Sequence, residues 1–156
     1  MSEKRSSPVS EAMSLIWAKS SPMHPLYCHL IDVGWVSHEL LNSSAFESVV
    51  PIFARASGIE ELQAVMWLSY FSAMHDIGKC DSRFQLCGPD SLVECVSGLG
   101  LPRAPSPCPK GFNHSALSAS WMIDYLKDEL GWHRKEAATV SACLRGHHGD
   151  LRAEGP

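Results

Sequence analysis

A chain of 156 residues, 45% of them hydrophobic and 19% charged, can bury one sizeable core and falls in the size range of a single domain. Its formal net charge of −4 excludes a protein that holds nucleic acid by a basic field alone, so a nucleic-acid substrate would need bound metal or a partner. No stretch approaches the roughly twenty consecutive apolar residues of a spanning helix, and residues 1–10 lack a signal-peptide core; the expectation is a cytoplasmic protein with no membrane contact.

Apolar residues recur at three- and four-residue steps and strict alternation is almost absent, which predicts an all-α domain. Residues 1–16 read as an N-terminal extension and 17–156 as the domain. A first helix is expected over residues 25–41, starting at Pro25, a residue suited to a first helical turn, and broken by Asn42, Ser43 and Ser44. A second spans residues 59–74 and stops near Gly78. Residues 87–111 read as a loop insertion, with Pro102, Pro105, Pro107 and Pro109 opposing regular helix in its second half. Helix resumes at Ser115, ends before Gly131, and returns over residues 134–145 with Gly146 as the stop. The run from Asp150 to Pro156 reads as an interruption rather than the finish of a domain, so the bundle is expected to be truncated. The six cysteines (Cys28, Cys80, Cys87, Cys95, Cys108 and Cys143) form no close C-x-x-C pair and are expected as reduced thiols.

The polar residues fall in a pattern on these helices. His29 borders a stripe of Leu26, Leu30, Val33, Val36 and Leu40. On the second helix Leu62, Val65, Met66, Ser69 and Ala73 form a line extended by Asp76, and Leu68 with Phe71 a line extended by His75. His114 precedes Leu117, Trp121 and Tyr125; His147 and His148 follow Ala137, Val140, Ser141 and Leu144. Any one of these histidines alone reads as a core residue with a satisfied hydrogen bond. Five imidazoles and a carboxylate on inward lines are too costly to bury unless something binds them, and a metal is the economical compensation. Neighbours on a helix point about 100° apart, so His75 and Asp76 can serve two ions, with Asp76 as the bridge and the histidines as terminal ligands. His24, His38 and His133 read as surface or capping residues. Trp17, Trp35, Trp67, Trp121 and Trp132 read as core rather than as base-stacking platforms, and Arg103 and Lys110 as solvated surface.

His75-Asp76-Ile77-Gly78-Lys79, with a lone His29 before it and His114 and His147-His148 after it, resembles the HD superfamily of metal-dependent phosphohydrolases. The extended order is more specific: Leu26-Tyr27-Cys28-His29-Leu30, then HDIGK with Phe84-Gln85, Phe112-Asn113-His114-Ser115-Ala116-Leu117-Ser118 and Gly146-His147-His148-Gly149. It resembles the HD nuclease domain of the CRISPR-associated nuclease-helicases of type I systems, over residues 17–149. The resemblance implies an HD-type helical bundle that cuts single-stranded DNA displaced by a Cascade-type guide-RNA complex, with two transition-metal ions. It implies that His29, His75 and Asp76 hold one ion, that Asp76, His114, His147 and His148 hold the second, and that Lys79 stabilises charge at the phosphate beside the catalytic Asp76. The histidine-rich set favours manganese, iron, cobalt or nickel over magnesium.

The chain departs from that pattern in three places. The family's final aspartate, well downstream of the histidine doublet, has no counterpart before Pro156, and Asp150 stands too close to His148 to replace it; the chain is expected to be a fragment or a shortened form. Gly78-Lys79 precedes Cys80, with Ala73 where a phosphate loop needs glycine, so a helicase is expected from elsewhere. Ser115 stands where many relatives carry glutamate. Two other readings keep the same ligands: an HD phosphohydrolase of nucleotides or small phosphate esters, and a non-catalytic HD-fold binding module.

Overall fold

A computed structural model of the chain describes residues 8–100 and 112–148. Arg103, Lys110, Cys108, Asp150 and the second half of the expected loop lie outside these residues.

Among the described residues the domain is all-α apart from one short hairpin. After α1 (Pro8–Leu15), strands β1 (Trp17–Ser20) and β2 (Met23–Pro25) pair antiparallel, with Trp17 opposite Pro25 and Ser20 opposite Met23. Strands of four and three residues are too short to show alternation, which is why the sequence reading passed over them. Pro25 then caps α2 (Leu26–Leu41). The unexpected α3 (Val49–Ser57) carries Pro51 in its first turn, where a missing N–H leaves no intrahelical bond unmade, and it ends on Gly58 at φ +67°. Next come α4 (Glu61–Ala73), a 3-10 segment (Met74–Cys80), the single turn α5 (Ser82–Gln85) and α6 (Asp90–Ser97). The helix α6 corrects the loop reading of that stretch: Pro89 supplies its N-cap and Asp90 lies in its first turn, favourable starts for a helix. The last two helices are α7 (His114–Asp124), continued by a π-turn over Tyr125–Glu129, and α8 (Arg134–Arg145), followed by a 3-10 turn at Gly146–His148. His133 caps α8, its ring accepting from the Lys135 N–H at 3.3 Å.

The main core lies between α4, α7 and α8, where Phe71, Met122, Leu126, Ala137 and Leu144 are buried. A second cluster of Val50, Ala54, Ala64 and Val65 fastens α3 to α4. Three of the expected inward stripes are displaced. On α2, Val36 and Leu40 face outward with Ile31 and Trp35; on α4, Leu62 (71% exposed) and Met66 do so. On α7, Trp121 and Tyr125 are exposed, and the buried face is Ser115, Ser118, Ala119 and Met122. Small residues win these positions because they permit close approach. A Cβ added to Gly34 of α2 would lie 3.0 Å from the Ala73 Cβ of α4. Trp35, at 66% exposed, and Trp121 thus depart from the core reading. Free thiols are found at Cys28, Cys80, Cys95 and Cys143, whereas Cys87 is disulfide-bonded, against the expectation of reduced cysteines throughout. No helix among the described residues is long and apolar enough to cross a membrane.

Candidate metal centre

The 3-10 segment that continues α4 determines how the key residues project. With three residues per turn, positions i and i+3 eclipse, so Lys79 lies directly over Asp76 and its Nζ donates to Asp76 Oδ2 at 2.6 Å. His75 and Asp76 are therefore about 120° apart, wider than the α-helical angle expected from the sequence. The segment is pressed against α7 by Gly78, whose added Cβ would collide with the His114 carbonyl oxygen. Its N–H donates to Ser118 Oγ at 2.8 Å, and that hydroxyl donates to the His114 carbonyl at 2.9 Å. Asn113 caps α7 by accepting from the N–H groups of Ser115 and Ala116, which fixes the first turn that carries His114.

A second clamp holds the other flank. Gln85, fully buried, accepts from the Trp17 N–H at 3.1 Å and donates from Nε2 to the carbonyls of Trp17 (2.8 Å) and Lys79 (2.6 Å). The Trp17 indole returns a bond to the Gln85 carbonyl at 3.2 Å and its ring packs on Phe84, centroids 4.7 Å apart. Phe84 meets the His114 ring edge-on at 5.5 Å.

All six expected ligands are brought together. Asp76, 3% exposed, is their centre. His29 Nε2 lies 3.0 Å and His75 Nε2 3.1 Å from Oδ2, while His114 Nε2 and His147 Nε2 lie 3.2 and 3.3 Å from Oδ1. His148 Nε2 is 3.0 Å from His114 Nε2. Two groups result, His29–His75–Asp76 and Asp76–His114–His147–His148, within each of which the donor atoms lie no more than 4.8 Å apart. Among the described residues, His24 stays outside both, paired with Asp32 at 3.0 Å.

The protonation pattern indicates what the cluster can hold. His75 Nδ1 donates to the Ser72 carbonyl at 2.8 Å and His147 Nδ1 to the Leu144 carbonyl at 2.6 Å, which leaves each neutral ring with its lone pair on Nε2. Those lone pairs face the oxygens of Asp76, an acceptor against an acceptor, and buried Oδ1 has no well-aligned donor. Such an arrangement is repulsive until a cation lies between the groups, and carbonyl-oriented imidazoles are the usual outer support of metal ligands. Burial opposes charge on Asp76, yet the neighbouring His114 and the Lys79 ammonium outweigh it and hold the carboxyl far below the usual carboxylate range. His29 and His147 are pushed down from 6.5, mainly by burial and against the pull of Asp76, so both favour the neutral, ligating form. The donor set fits divalent metal.

The sequence reading did not find the supports: the Ser72 and Leu144 carbonyls, Ser118, and the reach of Gln85 to Trp17. Backbone acceptors leave no signal in residue type. Ser118 and Gln85 stood in the quoted motifs without an assigned task.

Comparisons with known proteins point to one family. Residues 17–155 match the family model described as the HD domain of Cas3. The CRISPR-associated endonuclease/helicase Cas3 of Escherichia coli (strain K12) is 32% identical over 114 residues, covering 67% of this chain and 12% of that protein. A crystal structure described as a CRISPR-associated protein superposes with a TM-score of 0.76 at 26% identity, covering 93% of this chain and 17% of the other. The chain thus spans only a small part of the length of either relative.

Proposed function

Because the chain belongs to the Cas3 HD-domain family, we propose that it is a metal-dependent endonuclease that hydrolyses phosphodiester bonds of single-stranded DNA in CRISPR interference. The observation that carries this reading is the convergence of five imidazoles on the buried carboxylate of Asp76, with the lone pairs of His75 and His147 turned towards it.

His29, His75 and Asp76 would hold one divalent ion, and Asp76, His114, His147 and His148 a second, consistent with manganese, iron, cobalt or nickel. When bound, such a pair supplies Lewis acidity to the phosphoryl oxygens and makes water a nucleophile at neutral pH. The chain's own groups prepare the site. Asp76 stays ionised and offers both oxygens, and the Ser72 and Leu144 carbonyls keep His75 and His147 in the tautomer that presents Nε2. Lys79 neutralises Asp76 Oδ2 now and is placed to meet a phosphate oxygen as its negative charge grows. His148, exposed at the rim, leaves the centre open to a chain substrate. The unit proposed to carry this activity is residues 17–156, acting with a Cascade-type complex and a helicase in the intact assembly.

The test is cleavage of single-stranded circular DNA by the purified chain with manganese, cobalt or nickel, beside Asp76→Ala and a chelator control. Cleavage lost in both controls supports the reading. An intact chain that binds metal and cuts nothing overturns it in favour of a binding module.

A further inference from the structure

Beside the centre lies a cavity of about 460 Å³ between α2, α3, α4 and α8. Its walls are Val33, Phe53, Leu68, Phe71, Val140 and Leu144, and none of its lining residues carries a fixed charge. His75 and His147 complete the lining, so two of the proposed ligands border the cavity while their Nε2 atoms approach Asp76. Ser72 and Cys143 add a hydroxyl and a thiol.

We propose that this cavity is a nucleobase subsite, which takes one base of the strand whose phosphodiester is cut. The inference rests on the nuclease reading above. Three observations select the occupant. The absence of fixed charge makes the cavity unsuited to phosphate and suited to the uncharged, planar part of a nucleotide. Its size falls in the range of small-ligand sites, and its apolar walls with a few polar groups match their usual make-up. Its lining by His75 and His147, whose Nε2 atoms approach Asp76, sets it beside the proposed site of cleavage. Half-buried Phe53 adds an aromatic wall, and stacking of this kind accepts any base because every base presents a π-face.

The experiment compares two substrates, a single-stranded thymidine oligonucleotide and an oligomer of abasic deoxyribose phosphate, using the wild-type chain, Cys143→Trp and Val33→Trp with manganese. Each substitution fills the cavity from a different wall and replaces no proposed ligand; circular dichroism and thermal melting establish folding, and manganese binding equal to the wild type's establishes that the neighbouring His29, His75 and His147 keep their places. The expected result is that the wild type cuts the thymidine substrate about 10-fold or more better in kcat/KM, and that both filled variants cut the two substrates alike, at the wild type's abasic rate. Filled variants that keep the base preference overturn the subsite, as does a wild type without one. If neither variant folds, or the wild type cuts nothing and the nuclease reading fails, equilibrium binding to the wild type decides. Thymidine 5′-monophosphate binding at least about 10-fold tighter than deoxyribose 5-phosphate supports the base site, and equal binding overturns it.

Discussion

The Gly78 N–H and the Ser118 hydroxyl form the joint on which the metal centre closes, a 2.8 Å bond that ties the HD segment to the helix bearing His114. Gly78→Ala should cost about 3 kcal/mol or more, because the new methyl would meet main-chain oxygen and cannot be relieved by rotating a side chain. Ser118→Ala should cost about 1–3 kcal/mol by orphaning the buried Gly78 N–H. Urea unfolding midpoints check both; a Gly78→Ala protein as stable as the wild type would show that the two elements are not in contact.

Gln85→Leu keeps most of the volume but removes the side-chain bonds to Trp17 and to the Lys79 carbonyl. Each stranded buried group costs about 1–3 kcal/mol, so melting should fall sharply, and manganese affinity should weaken because Lys79 and Asp76 lose their flank. Unchanged melting would remove Gln85 from the supports of the site.

Lys79→Met separates holding metal from using it. Asp76 then lacks its ammonium partner, so the metal-free variant should melt lower than the wild type, and manganese should raise its melting temperature by a larger increment. Cleavage should fall about 10²–10³-fold, the scale for losing one charge-stabilising donor, while metal content is retained. A variant with full activity would assign Lys79 a purely structural task.

Tyr70 faces Tyr125 away from the centre, and burial together with that neighbour pushes its phenol up from 10.0 to about 12. The folded state therefore prefers the neutral phenol. This contribution is complete below pH ~10 and is lost as pH rises towards about 12. Absorbance titration at alkaline pH should show a tyrosine ionising near pH 12 in the folded protein that is missing from Tyr70→Phe, and Tyr70→Phe should flatten the fall in stability above pH 10. A Tyr70→Phe protein with the wild-type alkaline profile would place the late phenol elsewhere.

The sequence made the helices α2 and α8 legible, with α8 placed over residues 134–145, because each has clear stops and α8 buries one face. It also made legible that His29, His75, Asp76, His114, His147 and His148 converge, since polar residues at the ends of apolar lines are hard to satisfy singly. The inward faces of α4 and α7 were not legible. Both carry large apolar residues on several sides, so periodicity alone cannot choose between Met66 and Ala64, or between Trp121 and Ser118. The choice is made by close approach, as at Gly34 against Ala73 and Gly78 against His114, and small residues give no hydrophobic signal. The cavity beside His75 escaped for the same reason: it is a space left between helices, and no residue type announces it.

The 3-10 pitch over Met74–Cys80 makes this segment a device of fixed length. Because Asp76 and Lys79 meet only by eclipsing three positions apart, one inserted or deleted residue between them would swing the ammonium about a third of a turn from the carboxylate. Downstream, the same change would draw Gly78 out of register with Ser118. The stretch should therefore accept exchange of side chains at Ile77 far more readily than any change in residue number. In a set of related chains, a gap falling there would mark those that have abandoned the centre.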